Sequence, residues 1–451
     1  MSKYAFFLNS YNDIDNITPV IWKFLEKGDD IIVIFGTNYD YKNDYRIEYL
    51  QKKYSLKIFA FPSEYKRISI KTTYRQIKYL LGSYSRYEKF LKDYNISTCI
   101  FEWKVFFSSS LQNMFFGAAK NLEIPTISIP HGVSIYLNKV ITKNDAKLYN
   151  KTGKIYQITS VFDVDLFVEP NIHTQDLRLC AGGDPDISEV WGSARYYSEW
   201  AEINLKICPK FTANKSTNGK IKVVFMLPHW EYNVNVSESL SLVDKLADLP
   251  WVYLIIKDHT RGHGCLDDDL RTKLNSLPNV EASVSAQSPP LIQWSDAVIN
   301  FGSSIGIEAI LQDKVLINPS YLHTNQTIFE MTKSAFEPKN NDEVIGILED
   351  IKNEDLKPIP LLNKKLLLKE AVYGGKDEYD ILEYYWKNIS TIQSRQSYKY
   401  KLNPPHVVIL YRNLIEKLKF HFPTIRMLIR SNPIKSIKRV MKWILHTYFG
   451  K

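Results

Sequence analysis

Pro130-His131-Gly132 is a place in this 451-residue chain where residue types and spacing suggest chemistry. It closes a short β-branched run, Pro125–Pro130. An imidazole there can take a proton near neutral pH, and the following glycine lets a substrate approach closely. A second run, Ser97–Glu102, ends in Phe101-Glu102-Trp103-Lys104, where Glu102 could serve as acid, base or nucleophile. Both residues also have plain structural readings: His131 bonded to a nearby carbonyl, Glu102 in a salt bridge. Later in the chain, Asp258-His259-Thr260-Arg261-Gly262 follows the run Trp251–Lys257. Gly302-Ser303-Ser304, continuing to Glu308, follows Asp296–Phe301. An imidazole, a guanidinium and a glycine–serine turn opening a helix suit a phosphate. A capping serine and a solvated loop would be spelled with the same letters. His229 and Glu231 follow the run Lys220–Leu227 and could touch donor or acceptor, with Trp230 as packing. Gly192 and Arg195 follow Ile187–Trp191, where a donor contact and a hinge are equally compatible.

These residues share one position, just beyond a predicted strand. In the first half the strands are Tyr4–Leu8, Asp30–Gly36, Leu56–Phe61, Ser97–Glu102 and Pro125–Pro130, with helices at Ile14–Lys27, Ile68–Asp93 and Ser109–Leu122. In the second half, strands at Lys220–Leu227, Trp251–Lys257, Val280–Val284, Asp296–Phe301 and Lys314–Asn318 alternate with helices at Val236–Leu246 and Ser304–Gln312. Strands separated by helices predict parallel sheets covered on both faces, hence two doubly wound α/β domains. The join is expected in the loop Pro209–Gly219. Ligands of such domains bind beyond the carboxyl ends of the strands. The chain has no GxGxxG and no GxxxxGK[ST], which argues against a dinucleotide oxidoreductase and a P-loop NTPase.

The net charge of +9 is unevenly spread. From Arg395 to Lys451 thirteen Lys/Arg face one acid, a net +12 that leaves −3 for residues 1–394. The four cysteines are scattered without metal-ligand spacing, which predicts a reducing compartment and no zinc site. No secretory signal and no apolar run of about eighteen residues is present, so a cytoplasmic location is expected. Asp163-Val164-Asp165 has the letters of a metal-binding DxD without a convincing setting, and Asp267–Asp269 reads as the acidic first turn of a helix. In the tail, Ile434, Ile437, Val440, Met441, Ile444, Leu445 and Tyr448 line one helical face, with Lys435, Lys438, Arg439 and Lys442 around it and Trp443 suited to an interface. That pattern predicts a helix lying on an anionic membrane surface. Packing on the protein itself and nucleic-acid binding rank behind it.

Taken together, Pro130-His131-Gly132, Gly192 to Arg195, Lys257-Asp258-His259-Thr260-Arg261-Gly262 and Gly302-Ser303-Ser304 through Glu308 resemble the bacterial GT-B glycosyltransferases of surface polysaccharide synthesis. The likeness extends to capsule and lipopolysaccharide transferases, Kdo-type enzymes using CMP-sugars and, more distantly, CDP-glycerol (teichoic acid polymerase-like) transferases. It implies two Rossmann-like domains facing a cleft: residues 1–208 for the acceptor, 209–375 for the nucleotide-sugar donor, 376–405 as crossover helix and linker, and 406–451 as membrane-associating helices. The resemblance implies His131 as base, His259, Ser303 and Ser304 on the donor phosphate, and Glu308 on the ribose. Thr260-Arg261 stands where the polyol-phosphate enzymes carry proline, which shifts the balance toward a true sugar transferase, with Arg261 on the leaving phosphate. The expected reaction is transfer from a nucleotide sugar, a CMP-ulosonic acid such as Kdo or a UDP- or GDP-sugar, to a lipid-linked or oligosaccharide surface glycan. No metal or other cofactor and no nucleic acid is expected. A polyol phosphotransferase, a UDP-sugar 2-epimerase and a non-catalytic scaffold are the alternatives. Removal of residues 406–451 is expected to release the protein from anionic vesicles in a co-sedimentation assay, with the intact chain pelleting.

Overall fold

The computed structural model describes residues 3–36, 40–61, 85–103, 110–153, 155, 164–259, 266–283 and 286–393. The readings made for Arg261, Asp163, the tail 406–451 and its Lys435, Lys438, Arg439, Lys442 and Trp443 lie outside those residues, as does most of the helix expected over Ile68–Asp93.

Short apolar runs become parallel strands because helices cover them on both sides. The first sheet contains β1 (Lys3–Leu8), β2 (Asp30–Phe35), β3 (Lys57–Ala60), β4 (Thr98–Glu102), β5 (Thr126–Ile129), β6 (Leu166–Glu169) and β7 (Ser188–Val190), in the order β3-β2-β1-β4-β5-β6-β7. Tyr4, Phe6 and Leu8 enter one core layer, and Ala5 and Phe7 enter the other, as the two-residue period of a strand requires. The second sheet contains β8 (Ile221–Met226), β9 (Val252–Lys257), β10 (Val280–Ser283), β11 (Ala297–Asn300) and β12 (Val315–Ile317), in the order β10-β9-β8-β11-β12. Neighbouring strands in both sheets run parallel. The expected pair of doubly wound sheets is therefore present.

Local chemistry explains where the elements differ from expectation. The first helix begins at Tyr11 rather than Ile14, because Asp13 accepts the amide hydrogens of Asn9 (2.6 Å) and Ser10 (2.9 Å) and so caps its start. β6 lay hidden behind the DxD letters. Asp165 is buried, pairs with Lys120 at 2.9 Å and accepts the amide and hydroxyl of Thr126, which pins β6 beside β5. The helix Lys143–Thr152 has no buried residue and hence no apolar period to read. Asp267 caps the helix Asp268–Ser276 by accepting Leu270 N–H at 2.7 Å, matching the acidic-turn reading. Among the described residues no helix is long and apolar enough to cross a membrane.

After the second sheet the chain returns to the first. The helix Ile381–Thr391 packs on the helix Tyr11–Glu26, with a Lys27–Glu383 pair at 2.8 Å and Trp386 Nε1–H donating to Asp29 at 2.8 Å. Gly192 is the point of contact with the returning segment. Its φ is +83°, the Tyr385 hydroxyl donates to its carbonyl at 3.0 Å, and an added Cβ would lie 2.8 Å from the Val372 carbonyl oxygen. Gly192→Ala is therefore expected to lower stability by about 1–3 kcal/mol, read as a lower urea midpoint with unchanged slope.

Candidate active site

Strand order changes direction between β1 and β4 in the first sheet and between β8 and β11 in the second. Such switch points leave a crevice beyond the strand ends, because successive connections turn away to opposite faces. Residues following these strands surround a cleft of about 360 Å³ between the two sheets. Tyr11, Asp15, Trp103, His131, Gly132 and Tyr136 line it from the first half, and His229, Lys257, His259 and Gly302–Ser304 from the second.

His131 sits at the end of β5 with its Nδ1 2.8 Å from the Glu102 carboxylate at the end of β4. Glu102 is fully buried and does not line the cleft; Asn9 Nδ2 approaches its other oxygen at 3.4 Å. With the carboxylate accepting, Nδ1 carries a proton, and the opposite nitrogen, Nε2, presents its lone pair on the cleft side. The Trp103 indole stands edge-on to the imidazole at 5.9 Å and donates to the Val168 carbonyl at 2.8 Å, and Asn16 Nδ2–H donates to the His131 carbonyl at 2.9 Å. The histidine is thereby held in orientation. Asp13, Glu102 and His131 bring potential ligand atoms within 4.8 Å of one another. The Asp13 oxygens already accept from Asn9 and Ser10, so the three form a hydrogen-bonded cluster.

On the opposite wall, His229 Nδ1 accepts Glu231 N–H at 3.2 Å, which leaves the proton on Nε2. The His229 and His259 rings meet edge-on at 5.4 Å. Ser304 occupies the cap position of the helix Ile305–Leu311 without a side-chain capping bond, while Ser303 Oγ accepts Ile305 N–H at 3.4 Å, as the capping reading expects of one of the two serines. Tyr136 reaches from the first half to donate its hydroxyl to the Gly302 carbonyl and stacks on Tyr232 at 5.6 Å.

Arg195 joins the two walls. Its guanidinium lies 2.9 Å from Asp15 and 3.5 Å from Glu308, and donates to the Tyr196 hydroxyl at 2.8 Å. Tyr196 in turn donates to the Ser304 carbonyl at 2.9 Å. Burial works against the Arg195 charge, but Asp15, Tyr196 and Glu308 outweigh it and hold its proton more firmly than usual. Burial pushes the Glu308 carboxyl upward, with Arg195 opposing.

The structure thus brings His131, Arg195, His229, His259, Gly302, Ser303 and Ser304 to one cleft, with Glu102 directly behind His131. Three expected site residues are placed elsewhere. Gly192 lies under the returning C-terminal segment, where an added Cβ would meet the Val372 carbonyl and the Ile381 and Tyr379 side chains. Glu231 is exposed outside the cleft lining, with Asn144 approaching its carboxylate at 3.4 Å. Glu308 sits behind Arg195 rather than on the cleft surface. The sequence reading passed over Tyr11, Asp15 and Lys257. The first two follow a predicted strand, and the third is a lysine closing the otherwise apolar run Val252–Lys257.

No protein-family model matches the sequence, and no curated protein does so. Solved structures are similar in fold. A UDP-GlcNAc 2-epimerase from Neisseria meningitidis bound to UDP-GlcNAc superposes with a TM-score of 0.51 at 13% identity, over 87% of this chain and 99% of that one. The S. aureus MnaA–UDP complex gives 0.52 at 12%, over 87% and 99%. HepE from Anabaena in complex with UDP-glucose gives 0.52 at 12%, over 87% and 100%. These identities establish the two-domain, GT-B-like fold. They also overturn the expected glycosyltransferase, since the UDP-GlcNAc 2-epimerases among these structures are not transferases. The physical reason is that the twin-sheet plan fixes where a ligand sits, beyond the strand ends, and not which reaction follows.

Because Arg195 is the shared cation of two buried carboxylates, Arg195→Met is expected to cost about 3–5 kcal/mol in urea unfolding at pH 7.

Proposed function

We propose that the protein is a nucleotide-sugar 2-epimerase-type enzyme, binding a UDP-sugar in the cleft and moving the proton at sugar C2. The observation that carries this reading is the Glu102–His131 pair, a buried carboxylate 2.8 Å from an imidazole whose far nitrogen faces the cleft. The shared fold with structures holding UDP, UDP-glucose and UDP-GlcNAc supports the substrate class.

Inversion at C2 requires the C2 proton to leave and return on the other face. That hydrogen is not adjacent to a carbonyl, so it becomes removable only as the C1–oxygen bond opens. His131 Nε2 takes the proton, the C2–H electron pair becomes the C1–C2 double bond, and the nucleoside diphosphate departs with the electrons of the C1–O bond. Reversal, with a proton delivered to the opposite face of C2 and the diphosphate re-added at C1, yields the epimer and restores every atom. Glu102 acts through His131, fixing its tautomer and stabilising the imidazolium. The return proton comes from a water molecule on the opposite wall, and the hydroxide left behind takes the proton held by His131, which restores the enzyme; His229, with Nε2–H on that wall, donates a hydrogen bond to the water. The scheme uses no metal ion, and activity is expected to survive chelation by EDTA.

The test is proton NMR of UDP-GlcNAc and UDP-glucose incubated with the protein in deuterium oxide. Deuterium at C2 together with a C2 epimer is expected. His131→Ala should abolish exchange, and Glu102→Gln should slow it at least about 100-fold. Absence of both C2 exchange and UDP release from either sugar would overturn the reading.

A further inference from the structure

Three lysines are buried among the described residues: Lys23, Lys120 and Lys257. Lys23 pairs with Glu26 and Glu199, and Lys120 pairs with Asp165. Lys257 has no equivalent. It is 5% exposed, closes β9 and lines the cleft, and no side-chain hydrogen bond or ion pair reaches its amine among the described residues. Strand alternation places it on the face of Tyr253 and Ile255, beside its register partner Met226. Its chain neighbour Asp258 is engaged elsewhere, accepting from Arg271 Nη2 at 2.9 Å and from Leu266 N–H at 3.4 Å. A buried ammonium without a partner is unfavourable unless an anion completes the site.

We propose that Lys257 is the cationic seat of the nucleotide's diphosphate, donating from the floor of the cleft to a phosphoryl oxygen. The inference rests on the nucleotide-sugar reading of the same cleft and adds to it a role for Lys257, the one member of the Lys257–His259 run nine-tenths buried at the cleft with its amine unengaged among the described residues. His259 and the Ser303 and Ser304 hydroxyls surround the same space and would complete the phosphate's contacts. The arrangement also predicts proton linkage. Burial pushes the Lys257 amine down to about 8, with Asp258 opposing. A bound phosphate raises it again, so affinity is full below about pH 8 and falls as pH rises through that value, with proton uptake on binding. The other charged or titratable groups lining the same cleft among the described residues are Asp258, His229, His259 and Tyr232 from the second half and Tyr11, Asp15, His131, Tyr136 and Arg195 from the first, with Arg271 paired to Asp258.

The experiment is calorimetric titration of the full chain with UDP and, separately, with uridine, between pH 7 and 9. Lys257→Met should weaken UDP binding about 10- to 100-fold while leaving uridine binding unchanged. Lys257→Arg should retain UDP binding within a few-fold and lose the fall in affinity above pH 8, which isolates the lysine from the neighbouring histidines. UDP binding that survives Lys257→Met, or equal loss of UDP and uridine binding, overturns the assignment alone. Failure of the unaltered chain to bind UDP overturns both the assignment and the nucleotide-sugar reading.

Discussion

Arg195 stands between Asp15, on the first helix, and Glu308, on the helix after β11, with all three side chains largely withdrawn from water. Two buried carboxylates from different halves of the chain repel each other unless a cation lies between them. A guanidinium does this better than an ammonium, because its planar fork addresses several acceptors from fixed directions. Here it reaches Asp15, Glu308 and the Tyr196 hydroxyl together, and Tyr196 passes the connection on to the Ser304 carbonyl. Asp15 is braced from behind by Arg46, itself paired with Asp44. The relation between the His131 wall and the serine-turn wall depends on this chain of charges.

A second set of contacts fixes the same relation through the backbone. The segment after His131 crosses to the second half, where Leu137 N–H donates to Gln326 O at 3.0 Å and Ile328 N–H donates to Ile135 O at 2.8 Å. Asn325 ties the crossing together, its amide donating to the Ile141 and Tyr232 carbonyls and accepting from Asn138 and Asn233. The stretch that carries the candidate base is therefore continuous with the stretch that meets the other wall. A change in separation of the two sheets would be felt at His131 within a few residues of chain.

The chemistry then follows from unequal burial. Glu102 is sealed behind His131, so its charge is spent on orienting the ring, while His131 keeps an edge toward the cleft. Lys257 presents the reverse case, a cation sealed in beside the cleft with its neighbouring carboxylate engaged by Arg271. A carboxylate–imidazole pair on one wall and, on the other, a buried amine with no partner among the described residues make the cleft polar in a directed sense.

Much of this was legible from one sequence. Short apolar, β-branched runs separated by helices specify parallel sheets, and parallel sheets specify that chemistry lies at strand carboxyl ends, the position of His131, Glu102, His229, His259 and Gly302–Ser304. Elements without an apolar period, such as the helix Lys143–Thr152, left no such mark. The reaction was not legible, because a parallel-sheet fold fixes where ligands bind and leaves the chemistry to the particular side chains and their spacing in three dimensions. What the sequence by itself determined is the layout of the two sheets and the edge where ligands belong, since hydrophobic burial at strand periodicity acts locally along the chain. Only the tertiary structure decided which charges are paired. Arg195 finding Glu308, and Lys257 finding no partner among the described residues, are matters of distance between residues far apart in the chain, and burial makes those distances decisive.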